Sequence, residues 1–265
     1  MKKIVSLSLA TLFLVAATSC GTDAATNDTN PATASASTPN TSVSDISAST
    51  VSSTPEKDTS VSADPYEITY SNFTTFTDSI GTVWGQVIIE ITNTGSNDLY
   101  LRSGSYDIKD NNNSLVATES LVSVYPDVLQ PGEKGYLYDE NTFDDLSTDE
   151  AYSVTPHLSI DNATIPCVRY DVFDTTLKED DWGDLSLIGQ VTNTSDEEGS
   201  LVYVVAILYD DNNAPIGILY TILTDDLPAG ETVGFEATAL SLPPSVSADT
   251  VADTVIYAFP TQMQF

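Results

Sequence analysis

The sequence is poor in the residues most often used for chemistry. Its 265 residues include two cysteines and one histidine. Two cysteines build neither a disulfide framework nor a thiolate zinc cage, and one imidazole leaves little for a histidine-based catalytic or metal site. Basic residues are also scarce: eight Lys and Arg stand against 39 Asp and Glu, a formal net charge of −31. Affinity for phosphate requires clustered Lys and Arg that release counterions, so nucleic acid is excluded as a partner. The same imbalance disfavours an electrostatic grip on anionic lipid.

The N-terminal segment has the shape of an export signal. Lys2 and Lys3 precede an uncharged stretch from Ile4 to Ala17, about the length of a signal-peptide core and too short to span a bilayer as a helix. It ends Ala17-Thr18-Ser19-Cys20-Gly21, which resembles a bacterial lipobox, with Ala17 where Leu is usual. That resemblance implies a lipoprotein signal peptide over residues 1–19. It further implies a lipidated, palmitate-bearing Cys20, and a protein held outside the cytoplasm on the bacterial cell membrane. An ordinary secretory signal with an incidental Cys is the alternative. No other hydrophobic run is long enough to cross a membrane, so attachment rests on the lipid.

Residues 20–64 read as a tether. From Gly21 to Asp64, 19 of 44 residues are Ser or Thr and none is aromatic. Such a segment cannot bury enough apolar surface to offset its ordering entropy and is expected to be disordered. As a flexible coil it would span roughly 35 Å, enough to hold a folded head off a surface.

The remaining residues repeat. Ile91-Thr92-Asn93-Thr94-Gly95 recurs as Val191-Thr192-Asn193-Thr194-Ser195, and Asp110-Asn111-Asn112-Asn113 as Asp210-Asp211-Asn212-Asn213. Leu129-Gln130-Pro131-Gly132-Glu133 returns as Leu227-Pro228-Ala229-Gly230-Glu231. Trp84-Gly85 is matched to Trp182-Gly183, and Tyr70 and Phe73 to Tyr170 and Phe173. The period of about 100 residues is too long for a solenoid and suits a β-sandwich domain. Val87, Ile89 and Ile91 alternate with Ile88 and Glu90, the period-two signature of a strand. Leu201 to Tyr209 is apolar throughout, which predicts a strand covered on both faces. The expected fold is all-β, with two tandem immunoglobulin-like sandwiches over residues 65–165 and 166–265.

The second unit carries a recognisable pattern: Asn193-Thr194-Ser195, Leu208-Tyr209-Asp210-Asp211-Asn212, Leu227-Pro228-Ala229-Gly230-Glu231 and Phe235-Glu236. It resembles the FxLYD domain, an immunoglobulin-like module of secreted and lipid-anchored prokaryotic proteins. Ala206 stands where that family has its Phe, and the first unit reads Tyr106-Asp107-Ile108-Lys109-Asp110 in place of the Leu-Tyr-Asp core. The resemblance implies an envelope location and a structural role for the motif residues; it carries over no catalytic residue.

Carboxylates are the abundant reactive groups. Asp139, Glu140, Asp144, Asp145, Asp149 and Glu150 fall in one predicted loop, and Glu179, Asp180, Asp181 and Asp184 surround Trp182. Calcium takes six to eight oxygens, so the first group is a candidate calcium site for an adhesion module. Asp110-Asn111-Asn112-Asn113-Ser114 starts like an EF-hand loop, but Leu115 replaces its Gly and Leu121 its bidentate Glu. His157 and Cys167 lack the Gly-x-Ser-x-Gly elbow or the activating base that nucleophilic catalysis needs. Thirteen tyrosines suit strands, and an exposed row of them would be a binding face. The expectation is a non-enzymatic surface protein that presents two modules to an envelope protein or glycan, without a cofactor. A calcium-dependent adhesin is the second reading and an envelope hydrolase the third.

Overall fold

The computed structural model describes residues 64–120 and 122–262; the expected export signal over 1–19, Cys20 and residues 20–63 of the expected tether lie outside the described residues. The strand periodicity is realised throughout. The first unit contains β1 (Tyr66–Thr77), β2 (Val83–Asn93), β3 (Leu99–Lys109), β4 (Leu115–Ser120), β5 (Ser123–Tyr125), β6 (Val128–Leu129), β7 (Lys134–Thr142) and β8 (Ser153–Asn162). The second contains β9 (Asp171–Glu179), β10 (Leu185–Thr192), β11 (Val202–Tyr209), β12 (Pro215–Leu223), β13 (Thr232–Thr238) and β14 (Asp253–Pro260). The fold is all-β, and the ladders are antiparallel. Among the described residues no helix is long and apolar enough to cross a membrane.

In the first unit a sheet ordered β1-β2-β7-β5 faces a second sheet in which β3 pairs with β4, β6 and β8. Val87, Ile89 and Ile91 from β2 share an apolar core with Leu101, Tyr106 and Ile108 from β3. In the second unit the strand order is β14-β11-β12-β13-β10-β9. A single residue pair, Tyr220↔Thr238, joins β12 to β13. At that corner the sheet folds over a core that includes Leu187, Val191, Val204, Leu208 and Phe235.

The two units are fused rather than strung together: the described residues all fall in one compact unit. A third apolar layer lies between them. Ile88, Tyr125, Tyr136 and Tyr138 from the outer face of β2, β5 and β7 pack on Val205, Ile207, Tyr209, Ile218 and Phe259 from β11, β12 and β14. This explains why β11 is apolar at every position. Val204, Ala206 and Leu208 point into its own core, while Val205, Ile207 and Tyr209 point at the other unit. Each large apolar side chain buried there contributes on the order of 1.5–3 kcal/mol.

Two repeated motifs prove to be one structural device. Asn93 and Asn193 are fully buried. Asn93 Nδ2 donates to the carbonyls of Asn97 and Leu129, each at 2.9 Å, and Asn193 Nδ2 to those of Glu197 and Leu227, each at 2.8 Å. The Gly132 and Gly230 N–H groups donate back to the Asn93 and Asn193 carbonyls at 2.8 Å. Both glycines have positive φ, 83° and 77°, a conformation that a side chain would strain. The Asn-Thr-Gly/Ser stretch and the Pro-Gly-Glu or Ala-Gly-Glu stretch are therefore two ends of the same hydrogen-bonded loop pair.

Two sequence matches are corrected. Trp84 lies within β2, whereas Trp182 sits on the turn between β9 and β10. Phe73 opposes Val87 and is buried; the residue that opposes the equivalent Leu187 is Leu177, not the half-exposed Phe173. The first unit's hairpin is longer by two residues in each strand, which a match by letter passes over.

Candidate binding site

One turn chemistry recurs four times. At Asp78, Asp110, Asp180 and Asp210 the carboxylate accepts from the backbone N–H groups two and four residues later, at 2.8–3.0 Å. The residue three positions on has positive φ: Gly81, Asn113, Gly183 and Asn213. Asp and Asn suit such turns because short polar side chains close onto the backbone and tolerate that conformation. The EF-hand-like start at Asp110 is thus a hairpin turn whose first carboxylate is engaged by its own loop.

In two of these turns the residue two positions after the Asp is large and apolar. Ile80 ends the β1–β2 hairpin at 86% exposure, and Trp182 ends the β9–β10 hairpin at 90%. Both hairpin ends border one groove of about 730 Å³, to which the segment 239–247 contributes Leu240, itself 68% exposed. Trp84, by contrast, is fixed in place, its indole N–H donating to Asp78 Oδ2 at 3.0 Å. The groove is lined by Asp78, Glu179, Asp180, Asp184 and Glu236 and by no Lys, Arg or His. Glu179 Oε2 accepts from the Ala248 N–H at 2.8 Å. Two smaller clefts, of about 520 and 320 Å³, flank the layer between the units, the first beside Tyr70 and Ile88, the second beside Tyr125 and Tyr203.

The acidic residues singled out from sequence are dispersed. Asp139 and Glu140 belong to β7, not to a loop, and successive residues of a strand face opposite ways. Asp139 accepts from the Tyr106 hydroxyl at 2.9 Å. Glu140 accepts from the Tyr138 hydroxyl at 2.6 Å and from the Leu240 N–H of the second unit at 2.7 Å. Burial raises both carboxyls above their ordinary range, partly offset by these hydrogen bonds. Asp144 and Asp145 lie in the bend after β7, with Asp149 and Glu150 in the following turn, where Glu150 accepts from the Tyr152 hydroxyl at 3.2 Å. Among the described residues no group of three or more His, Cys, Asp and Glu side chains is gathered as a metal-ligand set.

His157, on β8, faces Asp107 at 3.0 Å and is exposed. Cys167 lies between the units, and burial pushes its thiol up to about 11, the opposite of what an activated nucleophile needs. Of the tyrosines considered as a binding row, Tyr125, Tyr136, Tyr138, Tyr203 and Tyr220 belong to the layer between the units. Tyr100 lies apart, under the Arg102 guanidinium, 5.3 Å from its ring centre. The row is turned inward.

Sequence reasoning noted Trp182 only as a repeat partner and as the centre of an acidic cluster. The pattern that would have located it is Asp-x-x-Gly/Asn: Asp78-Ser79-Ile80-Gly81 and Asp180-Asp181-Trp182-Gly183 share it with the two Asn-rich turns. No protein-family model matches the chain, and no curated protein matches it.

Proposed function

We propose that this chain is a non-enzymatic surface lipoprotein, anchored to the bacterial cell membrane through Cys20 and held off it by the Ser/Thr-rich tether, whose fused double-sandwich head binds a partner. The observation that carries this reading is the groove at the hairpin tips. An indole exposed at 90% on a turn that fixes its backbone is a costly feature for stability alone and a common anchor for recognition. The export signal, the lipobox-like Cys20 and the FxLYD-like pattern of the second unit support an envelope location. The high thiol pKa of Cys167 and the exposed His157–Asp107 pair favour binding over catalysis.

The test uses intact cells. Cys20→Ser is expected to move the protein from the membrane fraction to the medium or the soluble extract. Crosslinking of the wild-type chain is expected to enrich an envelope component. Retention of Cys20→Ser in the membrane fraction would contradict the anchor, and reproducibly empty crosslinking would contradict the binding role.

A further inference from the structure

The groove at the hairpin tips has a chemistry more specific than exposure alone. Five carboxylates line it and no cation does. Asp78 and Asp180 are partly occupied by their own turns, and Glu179 by Ala248. Asp184 and Glu236 are exposed, and their side chains make no hydrogen bond or ion pair among the described residues. Beside them the Trp182 indole offers a flat, electron-rich face, and Leu240 adds an aliphatic point.

We propose that this groove binds a basic, extended segment of a protein partner, with an Arg or Lys side chain stacked on Trp182 between the carboxylates of Asp184 and Glu236. The inference rests on the reading of the chain as a surface binding protein and names the partner's chemistry. Tryptophan is the ring best suited to hold a cation over its face, and the surrounding carboxylates complement the charge. The excess of acid over base in the whole chain draws cationic partners in and repels anionic ones. A glycan is the less suitable occupant. Leu240 offers nothing to hydroxyl groups, whereas apolar residues flanking a basic side chain would cover it.

The experiment uses the full-length chain in detergent and three probes: a fluorescent peptide alternating Arg and Leu, the same peptide with Glu for Arg, and a neutral chitin oligosaccharide. The Arg peptide is expected to bind and the Glu peptide not. Trp182→Ala should weaken Arg-peptide binding about tenfold, and Asp184→Asn with Glu236→Gln should weaken it and flatten its salt dependence. Both variants should keep the wild-type melting temperature, since all three side chains are exposed. The inference is overturned if the Arg peptide fails to bind or binds both variants like wild type. Binding of the oligosaccharide alone, through Trp182, overturns it equally. If cell-surface crosslinking captures its partner undiminished with Trp182→Ala, the groove assignment falls and the binding role stands. If Cys20→Ser stays on the membrane, the anchoring reading falls whatever the peptide does.

Discussion

The hydroxyl of Tyr209 donates to Glu90 Oε2 at 2.7 Å across 119 residues of sequence, from the second unit into a carboxylate buried in the first. The same oxygen receives Lys134 Nζ at 2.9 Å, the other receives Thr69 Oγ1 at 2.7 Å, and the Tyr136 hydroxyl closes the network on Tyr209. Burial works against the charge on Glu90, yet the hydrogen bonds from Tyr209, Thr69 and Lys134 outweigh it and hold the carboxyl below its usual range. Arg169 supplies a second polar bridge, pairing with Glu133 at 3.0 Å and lying over the rings of Tyr257 and Phe259.

Tyr209→Phe should therefore destabilise the head by about 1.5–3 kcal/mol, the range for hydrogen bonds to charged groups. Urea unfolding at neutral pH checks this. A loss under about half a kcal/mol would mean that the bridge between the units contributes little.

Stability should peak on the acid side of neutrality. Burial raises Asp139, Glu140, Asp127 and Glu119 in the folded state. These groups take up protons before their unfolded counterparts do, so stability rises as pH falls from neutrality toward the ordinary carboxylate range of about 4. Below that range the carboxyls held below their ordinary values act with the opposite sign: the contributions of Glu90, Asp78, Asp107, Asp110 and Asp210 are lost as pH falls through their folded values. Melting temperature measured from pH 7.5 to 3 should show the maximum, and Glu140→Gln should flatten its neutral side. A profile that falls steadily from pH 7 would contradict the assignment.

Asn193→Ala should cost about 1–3 kcal/mol, because it removes the amide donor shared by the Glu197 and Leu227 carbonyls, leaves Leu227 with the Gly199 N–H alone and frees the Ala-Gly-Glu loop. Asn93→Ala should behave alike through Leu129. Parallel denaturant melts of the two variants check the equivalence of the loops. A large loss in one with none in the other would show that only one copy depends on the device.

Cys167 should react slowly with thiol reagents in the folded state and rapidly once unfolded, since burial pushes its thiol up to about 11. Labelling rates at pH 8 with and without urea measure the ratio. Equal rates would show the thiol to be open and unperturbed.

The strands were legible in the sequence because their alternation is local, and the two-sided burial of β11 was legible from its unbroken apolar run. What covers the second face was not. Ile88 and Ile207 belong to one apolar layer although more than 100 residues separate them, and no local pattern marks either as an interface residue. The tyrosines gave the right composition and the wrong direction, since Tyr fits an exposed row and a buried layer equally well. Asp139 and Glu140 stand in a run of charge that suits a solvent-exposed loop, yet both lie on β7 and accept from tyrosine hydroxyls. The groove escaped notice because Trp182 was matched to Trp84 by letter, while the turn that presents it is marked by Asp180 and Gly183.

The layer between the units joins unlike faces. The first unit contributes the β2–β7 side, and the second contributes β11, β12 and β14, which correspond to β3, β4 and β8 of the first. A head-to-tail contact of this kind, repeated between copies, would build a ring or an open filament. The two faces left outside are the ones on which such growth would continue, and both are altered. Where β11 has Ile207 and Tyr209, β3 has Asp107 and Lys109, with Asp107 paired to His157 and Arg102 nearby paired to Asp161. Where β7 has Tyr136 and Tyr138, β13 has Gly234 and Glu236. The two outward faces thus differ from the pair that joins the units, with charge at the β3 positions and Gly and Glu in place of tyrosines at the β13 positions.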